Sequence, residues 1–205
     1  MILELDPHHP SPYRINRFVE FLERGELIAI PTDTCYALAC LPNSKGAVER
    51  LVRLRGLEAK KPRSLMFSDI RHVSEYTLLG DVAFRSIRRH LPGPYSFILE
   101  ANRKLPRFLG DKRKRVGVRV PDHPVPQALI EALGSPLMVA SATSPEVEGE
   151  IIQDPWTLEA IFGHGLAAII DAGEVPGGVS TVVDLTTDDC ELLRVGLGDP
   201  SAFTI

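Results

Sequence analysis

The chain has 205 residues, 44% hydrophobic and 24% charged, with a formal net charge of −4 at pH 7. A chain of this size can bury roughly 70% of its unfolded-state surface around one core, so no metal or disulfide staple is required. No apolar run approaches the roughly 20 residues of a membrane span. The N-terminal MILELDPHHPSPYR is acidic and broken by prolines, where a signal peptide is basic and then apolar. Cys35, Cys40 and Cys190 form no CxxC pair and read as reduced thiols of a cytoplasmic protein. No Cys/His cluster has the spacing of a zinc site.

The elements follow in order along one expected domain, 1–205, with no internal repeat and no linker-like break. Ser11-Pro12 opens a helix whose Ile15, Phe18, Val19 and Leu22 share a face, and Gly25 stops it. Residues 27–30 are a short buried strand ending at Pro31. Ser44 starts a second helix carrying Ala47, Val48, Leu51 and Val52 on its apolar side. Residues 64–67 read as a strand, 69–76 and 81–90 as helices, and 95–99 and 116–120 as strands separated by the basic stretch Arg103 to Arg115. Residues 125–133 form a helix ending at Gly134. Strand 137–140, helix 156–162 and strand 166–170 come next. A hairpin of 180–185 and 190–194 turns around Thr187-Asp188-Asp189. Helices alternating with strands early and a hairpin late predict an α/β (α+β) single domain with a twisted mixed parallel/antiparallel sheet and flanking helices.

The net charge conceals a strong asymmetry. Residues 1–119 hold 22 of the 23 Lys and Arg against 13 Asp and Glu, a net of +9, whereas residues 120–205 hold only Arg194 against 14 acidic residues, a net of −13. Either one half contributes a local anion-binding cleft, or basic helices of one half pair with acidic strands of the other.

Six segments carry groups suited to anions. Thr32, Asp33 and Thr34 follow a buried strand, where hydroxyls and amides either face a ligand or bond their own backbone. Arg53 and Arg55, two apart, do not share a helix face and meet one ligand only if the helix ends between them and Gly56; Lys60, Lys61 and Arg63 follow. Val118 and Val120 point away from Arg119 along a strand, so Arg119 needs an internal acid, Asp33 or Asp184, or an open cleft. Ser141 and Thr143 end one strand, Ser180 and Thr181 open another, and Arg194 is the solitary base of the acidic half. Neither a GxxxxGK[ST] nor a strand-following GxGxxG is present, and no histidine sits beside a nucleophile motif. The chemistry indicated is positioning and charge stabilisation rather than covalent catalysis.

Together these segments resemble the YrdC-like family, the threonylcarbamoyl-AMP synthase superfamily. The matching stretches are GELIAIPTDTCYAL (25–38), RLRGLEAKKPRSLM (53–66), LPGPYSFIL (91–99), VGVRVPDHPVPQALIEALG (116–134), VASATS (139–144), STVVDL (180–185) and LLRVG (192–196). The resemblance implies a YrdC/RibB-like fold with a large basic concave cleft. It also implies condensation of L-threonine, bicarbonate and ATP into threonylcarbamoyl-adenylate and diphosphate, with Mg2+ bound through the nucleotide and the product serving tRNA modification. Carried over, Arg53, Arg55 and Lys61 hold the triphosphate and Ser141, Thr143 and Arg194 the nucleotide. Thr32 and Ser180 line the substrate pocket. Arg119 sits between the substrates, and Arg55 and Arg119 are the catalytic pair. The alternative the cleft allows is a non-catalytic module binding nucleotide or RNA, either tRNA or double-stranded. The pattern departs from the synthases at Arg53 for lysine, Thr143 for asparagine and Ala37 for glycine, and in this it is closest to the YciO branch.

Overall fold

The computed structural model describes residues 1–58, 62–109, 114–147, 149–187 and 189–203. In chain order its elements are β1 (Ile2–Glu4), α1 (Pro12–Glu23), β2 (Ile28–Ile30), β3 (Ala37–Cys40), α2 (Lys45–Leu54), β4 (Ser64–Met66), α3 (Ile70–Tyr76), β5 (Thr77–Leu78) and α4 (Asp81–His90). They continue with β6 (Tyr95–Ala101), β7 (Arg115–Arg119), α5 (Pro124–Leu133), β8 (Leu137–Ser141), α6 (Pro155–Phe162), β9 (Ala168–Asp171), β10 (Thr181–Asp184) and β11 (Glu191–Arg194). None of the described helices is long and apolar enough to cross a membrane.

The local signals act as the sequence indicates. Ile15, Phe18 and Leu22 form the buried stripe of α1, and the chain leaves that helix through Gly25 at φ 75°. Helix α5 begins where Val125 N–H donates to His123 Nδ1 and ends at Gly134 in the left-handed conformation. Strand β9 starts two residues later than expected, because residues 163–165 wind one 3-10 turn onto α6 first.

The strands form one mixed sheet in the order β1-β9-β2-β3-β8-β4-β7-β6-β10-β11, with β5 attached to β6. β1–β9, β2–β9, β4–β7 and β6–β10 are parallel, and the remaining neighbours antiparallel. Three strands go unanticipated by the sequence: β1, β5 and β3. The last matters most, since it joins β2 to β8 at the centre of the sheet.

Two apolar cores flank the sheet unequally. On one face, α2, α3, α4 and α6 pack Leu51, Val73, Ile87 and Phe162 against strand residues such as Leu38, Leu65, Phe97 and Val118. On the other, α1 and α5 bring Phe18, Leu22, Leu129 and Ile130 onto Ile28, Ala37, Met66 and Val139. Burying each such side chain contributes about 1.5–3 kcal/mol. The second pair of helices reaches only as far as Met66 on β4. Beyond it the same face of β7, β6 and β10 lies open, and this uncovered half is the cleft.

Candidate functional site

Period-two alternation decides what the open face displays. On β7, Val116 and Val118 enter the covered core, so Arg115, Gly117 and Arg119 face the cleft. On β6 and β10, Phe97 and Val183 are covered and Ser96, Ile98, Val182 and Asp184 are displayed. The register aligns Val139 with Ser64, Ser64 with Gly117, Gly117 with Ile98 and Ile98 with Asp184, one row across the floor. Gly117 keeps that row flat: a Cβ there would lie 3.1 Å from Ser64 Oγ. The resulting concavity has a volume of about 330 Å³.

Arginines meet it from three pieces of chain: Arg115 and Arg119 of β7 and Arg194 of β11 line it, and Arg55 stands at its rim beside Ser141. Arg55 is the residue at which α2 ends, followed by Gly56 at φ 60°. Its Nε donates to the carbonyl oxygen of Ser141 at 2.7 Å, and its Nη2 donates to Thr143 Oγ1. Arg194, on β11, donates through Nε and Nη2 to the carbonyl oxygen of Ser180 at 3.1 and 2.9 Å, and through Nη2 to Ser180 Oγ at 3.3 Å. Ser180 Oγ in turn lies 2.7 Å from Ser96 Oγ.

Arg119 is 6% exposed and is held through Nη2, which donates to Asp33 Oδ1 at 2.5 Å and Thr34 Oγ1 at 2.7 Å. The sequence leaves open whether Arg119 finds an acid or a cleft; it has both, and the acid is Asp33. Asp184 is instead paired with Arg115 at 3.1 Å and capped by Thr186.

Burial pushes Arg55 and Arg194 below the ordinary arginine value, and for Arg194 the nearby Arg119 charge acts in the same direction. Burial likewise lowers His123, partly offset by the negative charge of Asp33.

Thr32 is fully buried. Its Oγ1 donates to the carbonyl oxygen of Cys35 at 2.6 Å and accepts from the N–H groups of Thr34 and Cys35 at 3.2 Å. The hydroxyl therefore staples the loop that carries Asp33 and Thr34. The carbonyl of Thr34 accepts from Gly177 and Gly178 at 2.9 and 3.0 Å, tying this loop to the segment that leads to Ser180.

The structure thus lines the concavity with Arg119, Ser141, Ser180 and Arg194, joins Arg55 and Thr143 to its rim through Ser141, and sets Thr32 against Arg119. It does not bring Arg53 to the same place. One residue before the helix end, Arg53 faces away and borders two other hollows, one with Arg50 and His164 and one with Lys45 and Arg63. Lys61 lies outside the described residues. Ser64, Ser96 and the Arg115–Asp184 pair escape the sequence reading. The signal for Arg115 is present, however, since it lies four residues before Arg119 on one strand and so shares its face.

Fold and site define a class: an α/β protein whose half-covered mixed sheet exposes an arginine- and serine-lined cleft. A family model for Sua5, YciO and YrdC, described as "Telomere recombination", matches residues 20–196. The chain belongs to this family. It is 38% identical over 200 residues to the uncharacterized protein YciO of Escherichia coli K12, spanning 97% of both chains. The crystal structure of E. coli YciO superposes with a TM-score of 0.95 at 36% identity, covering 100% of this chain and 99% of that one. The threonylcarbamoyl-AMP synthase of Homo sapiens is 31% identical over 176 residues, 80% of this chain and 60% of that protein. P. abyssi Sua5 complexed with L-threonine gives a TM-score of 0.87 at 27% identity, over 96% of this chain and 57% of that one.

Proposed function

We propose that the cleft is the active site of an ATP-using synthase of the threonylcarbamoyl-AMP type. The observation that carries this reading is the set of guanidiniums around a serine-lined floor: buried Arg119 and more exposed Arg194 line it, and Arg55 bonds Ser141 at its rim. Such a set suits phosphate oxygens. The family relatives named threonylcarbamoyl-AMP synthase, and a solved relative that carries L-threonine, supply the substrate class.

In this reaction the amine of L-threonine and bicarbonate give a carbamate and water. A carbamate oxygen then forms a bond to the α-phosphorus of ATP as the bond to the β-phosphate oxygen breaks, releasing pyrophosphate. Arg55 and Arg194 hold the phosphates, and Arg119, paired with Asp33, stands between the substrates. Among the described residues no group of three or more His, Cys, Asp or Glu could hold a metal. Mg2+ would therefore enter on the phosphate oxygens of the nucleotide, where it supplies charge neutralisation.

The test is pyrophosphate release from ATP. Release requiring both L-threonine and bicarbonate is expected. Release independent of either rejects the synthase reading.

A second reading rests on charge: Arg103, Arg107 and Lys114 border one surface hollow on the basic half of the chain. RNA held by its phosphates would dissociate steeply with added salt, and a flat salt response rejects it.

A further inference from the structure

The four arginines of the cleft keep different company, and Arg115 is paired with Asp184 at 3.1 Å. Among the described residues, Arg55 and Arg194 bond only neutral oxygens: the carbonyls of Ser141 and Ser180 and the hydroxyls of Thr143 and Ser180. Arg119 bonds a carboxylate, Asp33, at 2.5 Å. A guanidinium on neutral acceptors keeps its full charge for a ligand, whereas one paired with a carboxylate at contact distance has much of that charge offset.

A second observation concerns how this ion pair is built. Asp33 Oδ2 and Arg119 Nε are both buried without a hydrogen-bond partner. Leaving such groups unbonded costs about 1–3 kcal/mol each, and a buried pair contributes to stability only when its remaining donors and acceptors are satisfied. Stability is therefore a poor explanation for placing this pair against the cleft. The loop that delivers Asp33 is nevertheless held closely, by Thr32 from within and by Gly177 and Gly178 from outside.

We infer that Asp33 sets the charge selectivity of the cleft. It offsets Arg119, as Asp184 offsets Arg115, so that phosphate charge is collected mainly by Arg55 and Arg194. The seat beside Arg119 is thereby left to a group of no net charge, such as the zwitterionic head of an amino acid. The identity of that second ligand rests on the synthase reading above; the electrostatic division does not.

Inorganic pyrophosphate is the probe, titrated calorimetrically into the full chain and three variants. Asp33→Asn uncovers the Arg119 charge and is expected to bind pyrophosphate about tenfold more tightly, as one added charge a few ångströms away in a partly screened site would give. Arg119→Gln leaves Asp33 uncompensated and is expected to bind about tenfold more weakly. The double variant has neither charge and is expected to return to the wild-type affinity. A purely structural pair would lower affinity in every variant.

If Asp33→Asn does not fold, the comparison of Arg119→Gln with the double variant still decides. Failure of the double variant to recover pyrophosphate binding overturns the inference, as does a folded Asp33→Asn that binds no more tightly than wild type. Because the assay involves no turnover, its outcome is separate from that of the co-substrate test. A chain that releases no pyrophosphate from ATP can still show the charge cycle, and an active synthase can lack it.

Discussion

Arg55 Nε donates to the carbonyl oxygen of Ser141 at 2.7 Å, joining the end of α2 to the end of β8 across 86 residues of sequence. The same guanidinium reaches Thr143 and stands over the ring of Phe162, its carbon 5.8 Å from the ring centroid. One side chain thus fixes the rim of the cleft while offering its remaining donors to a ligand.

Replacing Arg55 separates these roles. Arg55→Ala is expected to weaken ATP binding about tenfold or more, the scale of a charge-assisted hydrogen bond. Arg55→Lys should recover only part of this, because a compact ammonium cannot bond two acceptors in a fork. The check is the rise in Tm on adding ATP, which falls in the order wild type, Lys, Ala.

Gly196 has no room for a side chain. A Cβ there would lie 2.2 Å from the carbonyl oxygen of Val179 and 2.5 Å from the carbonyl carbon of Ser180, backbone atoms that cannot turn aside. Gly196→Ala is expected to cost about 1–3 kcal/mol and to lower Tm by several degrees. It displaces the backbone carrying Ser180, so the ATP-induced Tm shift should shrink as well.

Phe203 closes the opposite core among rings. Its centroid is 4.8 Å from that of His90, 6.0 Å from Phe97 and 6.2 Å from Tyr95. Phe203→Ala is expected to destabilise by about 3 kcal/mol, read as a lower urea midpoint with an unchanged slope. Ligand binding per folded molecule should be unaffected, since the cluster is on the covered face.

Stability should depend on pH through His123 and His72, which burial holds below the usual 6.5. The unfolded chain then binds more protons than the folded one as pH falls below about 6.5, so stability is full above that pH and declines beneath it. His123 Nδ1 also accepts the N–H of Val125 at 3.2 Å, a bond that protonation at Nδ1 removes. Tm measured from pH 7.5 to 5 should fall, with a shallower slope in His123→Asn. An unchanged slope assigns the effect to other groups.

Much of this was legible in the residues themselves. Gly134 and Gly25 mark helix ends because the left-handed backbone there excludes most side chains. The valines flanking Arg119 place it on the open face because a strand alternates. Strand β3 was not legible. Ala37–Cys40 is buried on both faces, so its four residues carry no alternation, and it follows the Thr32–Thr34 turn without punctuation. Strand β5, of two residues, is shorter than any period can reveal, and β1 lies in the acidic, proline-broken N-terminal stretch. Asp33 and Asp184 stood as equal partners for Arg119, since sequence separation says nothing about which crosses the sheet. Arg53 shows the opposite error of proximity: two residues from Arg55, it is carried to another surface by the turn of the helix.

The hairpin of β10 and β11 has a consequence for the order in which the molecule becomes competent. It supplies Ser180 and Arg194, and its β10 attaches alongside β6, a strand made some eighty residues earlier. A chain emerging from the ribosome at about 5–20 residues per second can therefore assemble both helical layers while this wall is still being synthesised. Until β11 has been made, the nascent protein lacks the wall that carries Ser180 and Arg194. Under the proposed function, a product cut short before Ser180 keeps Arg55 and Arg119 but is expected to bind ATP more weakly, and ligand can lend the finished wall no support while it is still being made.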